Sequence, residues 1–209
     1  MKAVPLVGLM SFLIGIVLSY QMGVQLKIYG ANILIVKVSG IAILREFAPL
    51  ITAIIMAGRT STSFASLIGS MKINEEVDAL KVMGKNVIIT LVYPRSIAML
   101  IALPLLVVWS SICAIAGSML MANIVLHVSY MAFLQKFPND VGVMQYLLGM
   151  FKVPFFALFI TAVGCYQGLT AELSSESVGR QTTRAAVQSI FLIIIIDATF
   201  SIMYSFVGV

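Results

Sequence analysis

Charged side chains are scarce in this chain of 209 residues, of which only 10% are Asp, Glu, Lys or Arg. Water-soluble domains carry about a quarter of such residues. The hydrophobic fraction of 61% and the mean hydropathy of +1.08 point in the same direction. The composition therefore excludes an ordinary soluble domain and indicates a chain that crosses a membrane several times.

Histidine and cysteine are nearly absent as well. One His and two Cys are too few for a metal cluster, and Cys113 and Cys165 lie inside apolar runs, as small buried side chains do. The sequence contains no Walker-type phosphate loop, no Gly-x-Ser-x-Gly and no His-Glu-x-x-His, so it indicates neither P-loop nucleotide binding nor a familiar hydrolase site. The net charge of +5 predicts no nucleic-acid partner, because cations gathered on one membrane face account for it.

Apolar runs long enough to span a bilayer occur five times. They cover about Val4–Gln25, Ile33–Ala57, Ile97–Val125, Val143–Leu169 and Ala185–Val207. The sequence thus predicts an all-α membrane protein of about five spans, forming one transmembrane domain over residues 1–209. Within the first run, Ser11, Gly15 and Ser19 recur every four residues, which predicts a close helix-packing face.

The connections between the runs differ in positive charge, and this predicts the orientation. Eight Lys and Arg residues fall on one side and three on the other. The eight are Lys2, Arg59, Lys72, Lys81, Lys85, Arg95, Arg180 and Arg184, against Lys27, Lys37 and Lys136. The richer side is expected to be cytoplasmic.

Four ionisable residues lie well inside apolar runs: Arg45, Glu46, Lys152 and Asp197. Each costs about 2.5–3.5 kcal/mol at the centre of a span, so each is expected to have a partner. Arg45 and Glu46 are adjacent and diverge by roughly 100° on an α-helix, so they are not expected to satisfy one another well. We predict the pairs Glu46–Lys152 and Arg45–Asp197. The cluster can serve as a gate or headgroup contact in a transport path, or as a structural clasp between helices.

A short acidic segment separates the second and third runs. Asn74 is suited to cap a helix that carries Glu75, Glu76 and Asp78 in its first turn and ends at Gly84. Val77, Leu80 and Met83 recur every three residues and form an apolar face. Such a helix is about 13 Å long, too short to span a bilayer. It is either a docking element for a cytosolic protein or a solvated connector.

An ordered set of motifs runs along nearly the whole chain. It comprises Arg45-Glu46-Phe47-Ala48-Pro49-Leu50, Ala57-Gly58-Arg59, Glu75-Glu76-Val77-Asp78-Ala79-Leu80, Pro94-Arg95, Pro104-Leu105-Leu106, Val178-Gly179-Arg180-Gln181-Thr182-Thr183-Arg184 and Asp197. This set resembles the MlaE permease family, the membrane subunits of bacterial ABC transporters that work with MCE-domain proteins to move phospholipids.

The resemblance implies a homodimer in the bacterial inner membrane, with phospholipid as its cargo and a periplasmic MCE-domain protein as a partner. It implies that the chain is not an enzyme and binds no cofactor itself, because a cytosolic ATPase subunit holds the ATP and magnesium. The segment Glu75, Glu76, Val77, Asp78, Ala79 and Leu80 corresponds to the coupling helix on which that ATPase docks. Leu18, Gln25, Leu26 and Tyr29 correspond to a lipid pocket at the dimer interface, and Arg45, Glu46, Lys152 and Asp197 to polar positions within the membrane.

Two departures from the family pattern stand out. Members usually carry an interfacial elbow helix before the first span, which is expected to be missing here. The segment after Arg59 reads Thr60-Ser61-Thr62, and Leu67 stands where the family has an acid, which bears on coupling to the ATPase. Two other functions compete with the permease: a secondary transporter driven by protons through Glu46 and Asp197, and a membrane scaffold that transports nothing.

Overall fold

A computed structural model describes residues 3–207, and this part of the chain is helical with no β-strand. Five helices are long and apolar enough to cross a membrane. They cover Ala3–Ile28, Ile35–Ile73, Ile88–Leu126, Val143–Thr170 and Ser175–Phe206. The predicted all-α architecture with five spans is confirmed.

The long helices are built from shorter segments, and we number the α-helical ones in chain order. They are α1 Ala3–Ile28, α2 Ile35–Ala42, α3 Ala48–Met56, α4 Thr62–Ile73, α5 Glu76–Val82, α6 Tyr93–Leu126, α7 Tyr130–Asp140, α8 Val143–Thr170 and α9 Ser175–Val207. Two π-helical segments, Ile43–Phe47 and Ala57–Ser61, join α2, α3 and α4 into the second long helix. A third, Ile88–Val92, begins the third long helix before α6.

The connection between the second and third spans is much shorter than predicted. The predicted second run ends at Ala57 and the third begins at Ile97, but the second long helix runs on to Ile73 and the third begins at Ile88. Ser61, in the extended part of the second long helix, bonds to α9 inside the protein. The Ser61 hydroxyl lies 3.3 Å from the carbonyl oxygen of Ala185 and 2.8 Å from the Ser189 hydroxyl. Likewise, α9 begins at Ser175 rather than at Ala185.

The helices group into two compact units, the first made of residues 3–52 and 104–152. In it, α1 packs closely on α6. Ser11 and Ser110 hydroxyls lie 2.7 Å apart, and the Ser19 hydroxyl donates to that of Ser118 at 2.6 Å. Both pairs are 99 residues apart in the chain, so the two helices run parallel, as alternate spans must. The predicted packing face of α1 is confirmed.

Gly15 shows how close this approach is. A Cβ atom at this position would overlap the backbone carbonyl of Ala114 on α6. Only glycine leaves room for the two backbones to come so near, because it has no side chain. The serine pairs on either side then satisfy one another rather than facing lipid.

The other end of the first unit holds an apolar cluster that seats α7. Phe133 is 1% exposed and packs with Ile35, Val36 and Leu126. Its ring lies 6.0 Å from that of Phe137, in a stacked arrangement. These contacts attach α7 to the beginning of α2.

The second unit comprises residues 53–103 and 153–207. Here the Lys72 ammonium donates to the carbonyl oxygen of Leu169 at 2.8 Å, in the last turn of α8, where a cation is favourable. Gln167 donates to Gln188 on α9 at 2.5 Å. Of the eight cations used to predict orientation, Lys2 lies outside the described residues.

Candidate functional site

A buried ion pair joins the second and fourth spans within the first unit. The Lys152 ammonium bonds the Glu46 carboxylate, and the predicted pairing of these two residues is confirmed. The Lys152 side chain is fully buried, whereas that of Glu46 is 26% exposed. Counted along their helices at 1.5 Å per residue, Glu46 lies about 16 Å beyond Ile35 and Lys152 about 14 Å beyond Val143. The pair therefore sits deep within both spans.

Burial makes the contact between Glu46 and Lys152 costly to break. Removing one partner from a buried ion pair costs about 3–5 kcal/mol. The pair therefore forms a stable polar contact between two apolar helices. It can hold two helices in register or present charge to a polar group that enters the membrane.

Arg45 extends the cluster toward the beginning of α8. Its Nε lies 3.5 Å from a carboxylate oxygen of Glu46, and its Nη1 donates to Oε1 of Gln145 at 3.4 Å. Arg45 and Glu46 were not expected to satisfy one another well, yet their side chains lie within ion-pair distance. Both residues lie in the π-helical segment Ile43–Phe47, whose wider turn brings consecutive side chains closer together than an α-helix does.

Gln145 is a member of this cluster that the sequence analysis missed. It stands seven residues before Lys152 on α8, two turns away and on the same face. A polar residue at that spacing from an intramembrane Lys was the signal that could have found it.

Asp197 lies in the middle of α9, half-buried in the second unit. Its predicted partnership with Arg45 stays a prediction.

The acidic segment forms the short helix α5, Glu76–Val82. Asn74 was predicted to cap it, but Asn74 ends α4 instead, and Glu75 occupies the N-cap position in the left-handed conformation with φ 59°. The reason is the sharp turn from α4. The backbone N–H of Glu75 donates to the carbonyl of Lys72 at 3.1 Å and so closes the preceding helix, as a C′ residue does.

The predicted end of this helix at Gly84 is confirmed. Gly84 has φ 72°. Its N–H donates to Lys81 at 2.9 Å, and the N–H of Lys85 donates to Leu80 at 3.0 Å. This double closure is the Schellman motif, which requires a residue that tolerates positive φ.

One side of α5 faces outward with mixed chemistry. Val77 is 2% exposed and anchors the helix, whereas Val82 and Met83 are 89% and 61% exposed. An open cavity of about 590 Å³ lies against this side and is bounded by Glu75, Glu76, Asp78, Ala79 and the two exposed apolar side chains. Of the predicted apolar face, only Val77 is fully buried.

Lys81 lowers the pKa of the Asp78 carboxylate on this surface. Its ammonium lies 2.7 Å from Oδ1 of Asp78, and this hydrogen bond, together with the positive charge, lowers the pKa of Asp78 below its usual value. The Asp78 carboxylate therefore stays ionised to a lower pH than an isolated Asp does, and α5 presents acidic groups beside exposed apolar side chains.

The residues predicted to line a lipid pocket are divided between packing and exposure. Leu18 packs against Ile43 and its neighbours, and Leu26 packs against the cluster around Phe133. Gln25 is exposed, and Tyr29, which follows the end of α1, is 82% exposed. Their joint role stays a prediction.

Comparisons with known proteins agree on one family. The family described as Permease MlaE matches residues 1–203. A probable ABC transporter permease of Synechocystis is 33% identical over 182 residues, which are 87% of this chain and 69% of the relative. One from Rickettsia typhi is 32% identical over 193 residues, 92% of this chain and 74% of the relative.

A plant protein is similar as well. The chloroplastic protein TRIGALACTOSYLDIACYLGLYCEROL 1 of Arabidopsis thaliana is 30% identical over 200 residues, 96% of this chain and 57% of the relative. The motifs, the five spans and these relatives agree: the chain belongs to the MlaE family of ABC transporter permeases, multi-pass membrane proteins whose class implies an ATPase partner.

Proposed function

We propose that this chain is the permease subunit of a phospholipid transporter in a bacterial inner membrane. In this proposal, two copies form the transport path, a separate ATPase subunit hydrolyses ATP on the cytosolic face, and a periplasmic MCE-domain protein exchanges lipid with the dimer. The name of the Arabidopsis relative refers to a diacylglycerol glycolipid, which supports a membrane lipid as the cargo class.

The exposed face of α5 carries the proposed coupling role. Its carboxylates and its apolar residues Val82 and Met83 stand side by side around one open cavity. A partner with an apolar cleft rimmed by cations is complementary to this surface, since oppositely charged rims steer association while apolar side chains supply burial. Glu75, Glu76 and Asp78 would form the polar contacts, and ATP binding in the partner would bias the permease between two arrangements.

The intramembrane cluster supports a lipid cargo. A phospholipid needs apolar walls for its chains and polar groups for its head. The ion pair of Glu46 with Lys152, extended by Arg45, supplies polarity at depth between apolar helices. We assign to this cluster a role on the lipid path, with the pocket residues Leu18, Gln25, Leu26 and Tyr29 nearer the predicted periplasmic face.

Charge reversal on α5 tests the coupling assignment. In the double variant Glu76→Lys with Asp78→Lys, the ATPase should no longer co-purify with the tagged permease, while the membrane dimer persists. The matched control is Glu172→Lys with Glu176→Lys, because both residues are exposed acids outside α5. This control should retain the ATPase. An intact complex after the α5 reversal contradicts the assignment.

Reconstitution tests the cargo. Purified complex in proteoliposomes should move a fluorescent phospholipid when ATP is supplied, and a pH gradient alone should not drive transport. Movement that requires the gradient and survives loss of the ATPase would identify a proton-coupled transporter. No movement under either condition would favour a scaffold.

A further inference from the structure

The helix α7 is held at one membrane surface by its two neighbours. Residues 127–129 join it to α6, and residues 141–142 join it to α8. Because α6 and α8 belong to consecutive spans, their adjoining ends lie at the same face of the bilayer. A linker of three residues reaches only about 10 Å, and α7 itself, with 11 residues, is too short to span.

The surface of α7 has the character of an interfacial helix. Phe133 faces the protein, while Tyr130, Met131 and Leu134 are 47%, 66% and 55% exposed. At 100° per residue, these three side chains fall on one arc of the helix, and the polar side chains fall on the opposite arc. Those polar residues are Gln135, Lys136, Asn139 and Asp140. A helix of this kind lies in the plane of the interface with its apolar arc among the lipids.

A cavity of about 270 Å³ lies beside the end of α7. Leu44 and Val141, which are 7% and 3% exposed, line its inner part, and Val143, which is 75% exposed, lies at its mouth. Phe137 and Tyr146 complete walls that are almost wholly apolar. The cavity belongs entirely to the first unit, and α7 brings its mouth to the level of the lipids.

We propose that this cavity holds the end of one acyl chain of a bilayer phospholipid from the leaflet in which α7 lies. The volume accommodates about nine groups the size of a water molecule, which is part of a chain and not a whole lipid. Apolar walls disfavour water, and the acyl chain is the apolar group present at this surface. The site differs from the lipid pocket assigned to the first span and does not depend on transport.

Photolabelling tests the inference directly. The full chain is placed in nanodiscs that contain a phospholipid with a diazirine at the end of one acyl chain, and labelled residues are identified by mass spectrometry without ATP. Labelling at Phe137, Val141 and Tyr146 should exceed labelling at the exposed α1 residues Leu13 and Val17 by at least threefold. Equal labelling of the cavity and of α1 overturns the proposal.

Two variants and one control make the result specific to the cavity. Val143→Trp and Gly142→Leu both narrow the mouth, at positions that are exposed, and should reduce cavity labelling to the level of α1. Met144→Trp, at the neighbouring exposed position outside the cavity, should leave it unchanged. Labelling that persists in both mouth variants, with gel filtration showing folded protein, counts against the site. If the wild-type protein shows cavity labelling but its complex shows no ATP-driven transport, the result counts against the transport proposal alone.

Discussion

Removing the carboxylate of Glu46 should destabilise this protein more than almost any change at its surface. In Glu46→Leu, the fully buried ammonium of Lys152 loses its bond to the Glu46 carboxylate, and removing one partner from a buried ion pair costs about 3–5 kcal/mol. A chain of about 200 residues shifts its Tm by about 2–4 °C per kcal/mol. We therefore expect the Tm of Glu46→Leu to fall by about 6–20 °C.

Thermal unfolding of the purified full chain in detergent, followed by circular dichroism, measures this shift. The matched control is Asp78→Asn, which breaks the exposed ion pair with Lys81 and should leave the Tm unchanged, because solvent screens that pair. The double variant Glu46→Leu with Lys152→Met should melt above Glu46→Leu, since the buried cation is then gone as well. The reasoning is refuted if Glu46→Leu melts like Asp78→Asn. It is also refuted if the Tm loss of the double variant equals the sum of the losses in Glu46→Leu and Lys152→Met alone.

Three further predictions concern backbone approach, a left-handed residue and pH. Gly15→Ala should lower the Tm, since its Cβ would overlap a backbone carbonyl of α6, whereas Gly23→Ala on the same face has room and should not; unfolding in detergent compares the two, and equal loss contradicts the close approach. Glu75→Gly should slow hydrogen exchange in α5, because a residue other than glycine costs about 1–2 kcal/mol at positive φ; faster exchange argues against strain there. The pairing with Lys81 lowers the pKa of Asp78, so its stabilisation of α5 should be complete above about pH 4 and lost as the pH falls through that lowered value. Hydrogen exchange against pH should show this loss in the wild type and not in Asp78→Asn, and identical profiles would contradict it.

The sequence predicted those features whose physical signal is local or follows from charge. The four-residue spacing of Ser11, Gly15 and Ser19 marks a packing face, because small residues on one side of a span permit close approach. The pairing of Glu46 with Lys152 follows from the cost of an unpaired charge in a membrane. The αL position of Gly84 follows from its lack of a Cβ.

Other features depend on contacts that a single segment does not reveal. The second long helix continues past Ala57 to Ile73, and within this stretch the Ser61 hydroxyl bonds to Ala185 and Ser189, which lie 124 and 128 residues away in the sequence. The contact of Arg45 with Glu46 depends on a π-helical turn, and neighbouring helices decide where such a turn forms. Glu75 rather than Asn74 occupies the N-cap position of α5, because Asn74 is the residue that ends α4.

The parallel pairing of α1 with α6 also bears on biosynthesis. Each serine on α1 meets a serine that is made 99 residues later. At 5–20 residues per second, α1 emerges about 5–20 s before its partner. During that interval its hydroxyls can bond only to carbonyls of their own helix or to the insertion machinery. The first span is therefore expected to complete its packing late in synthesis, although it is the first to enter the membrane.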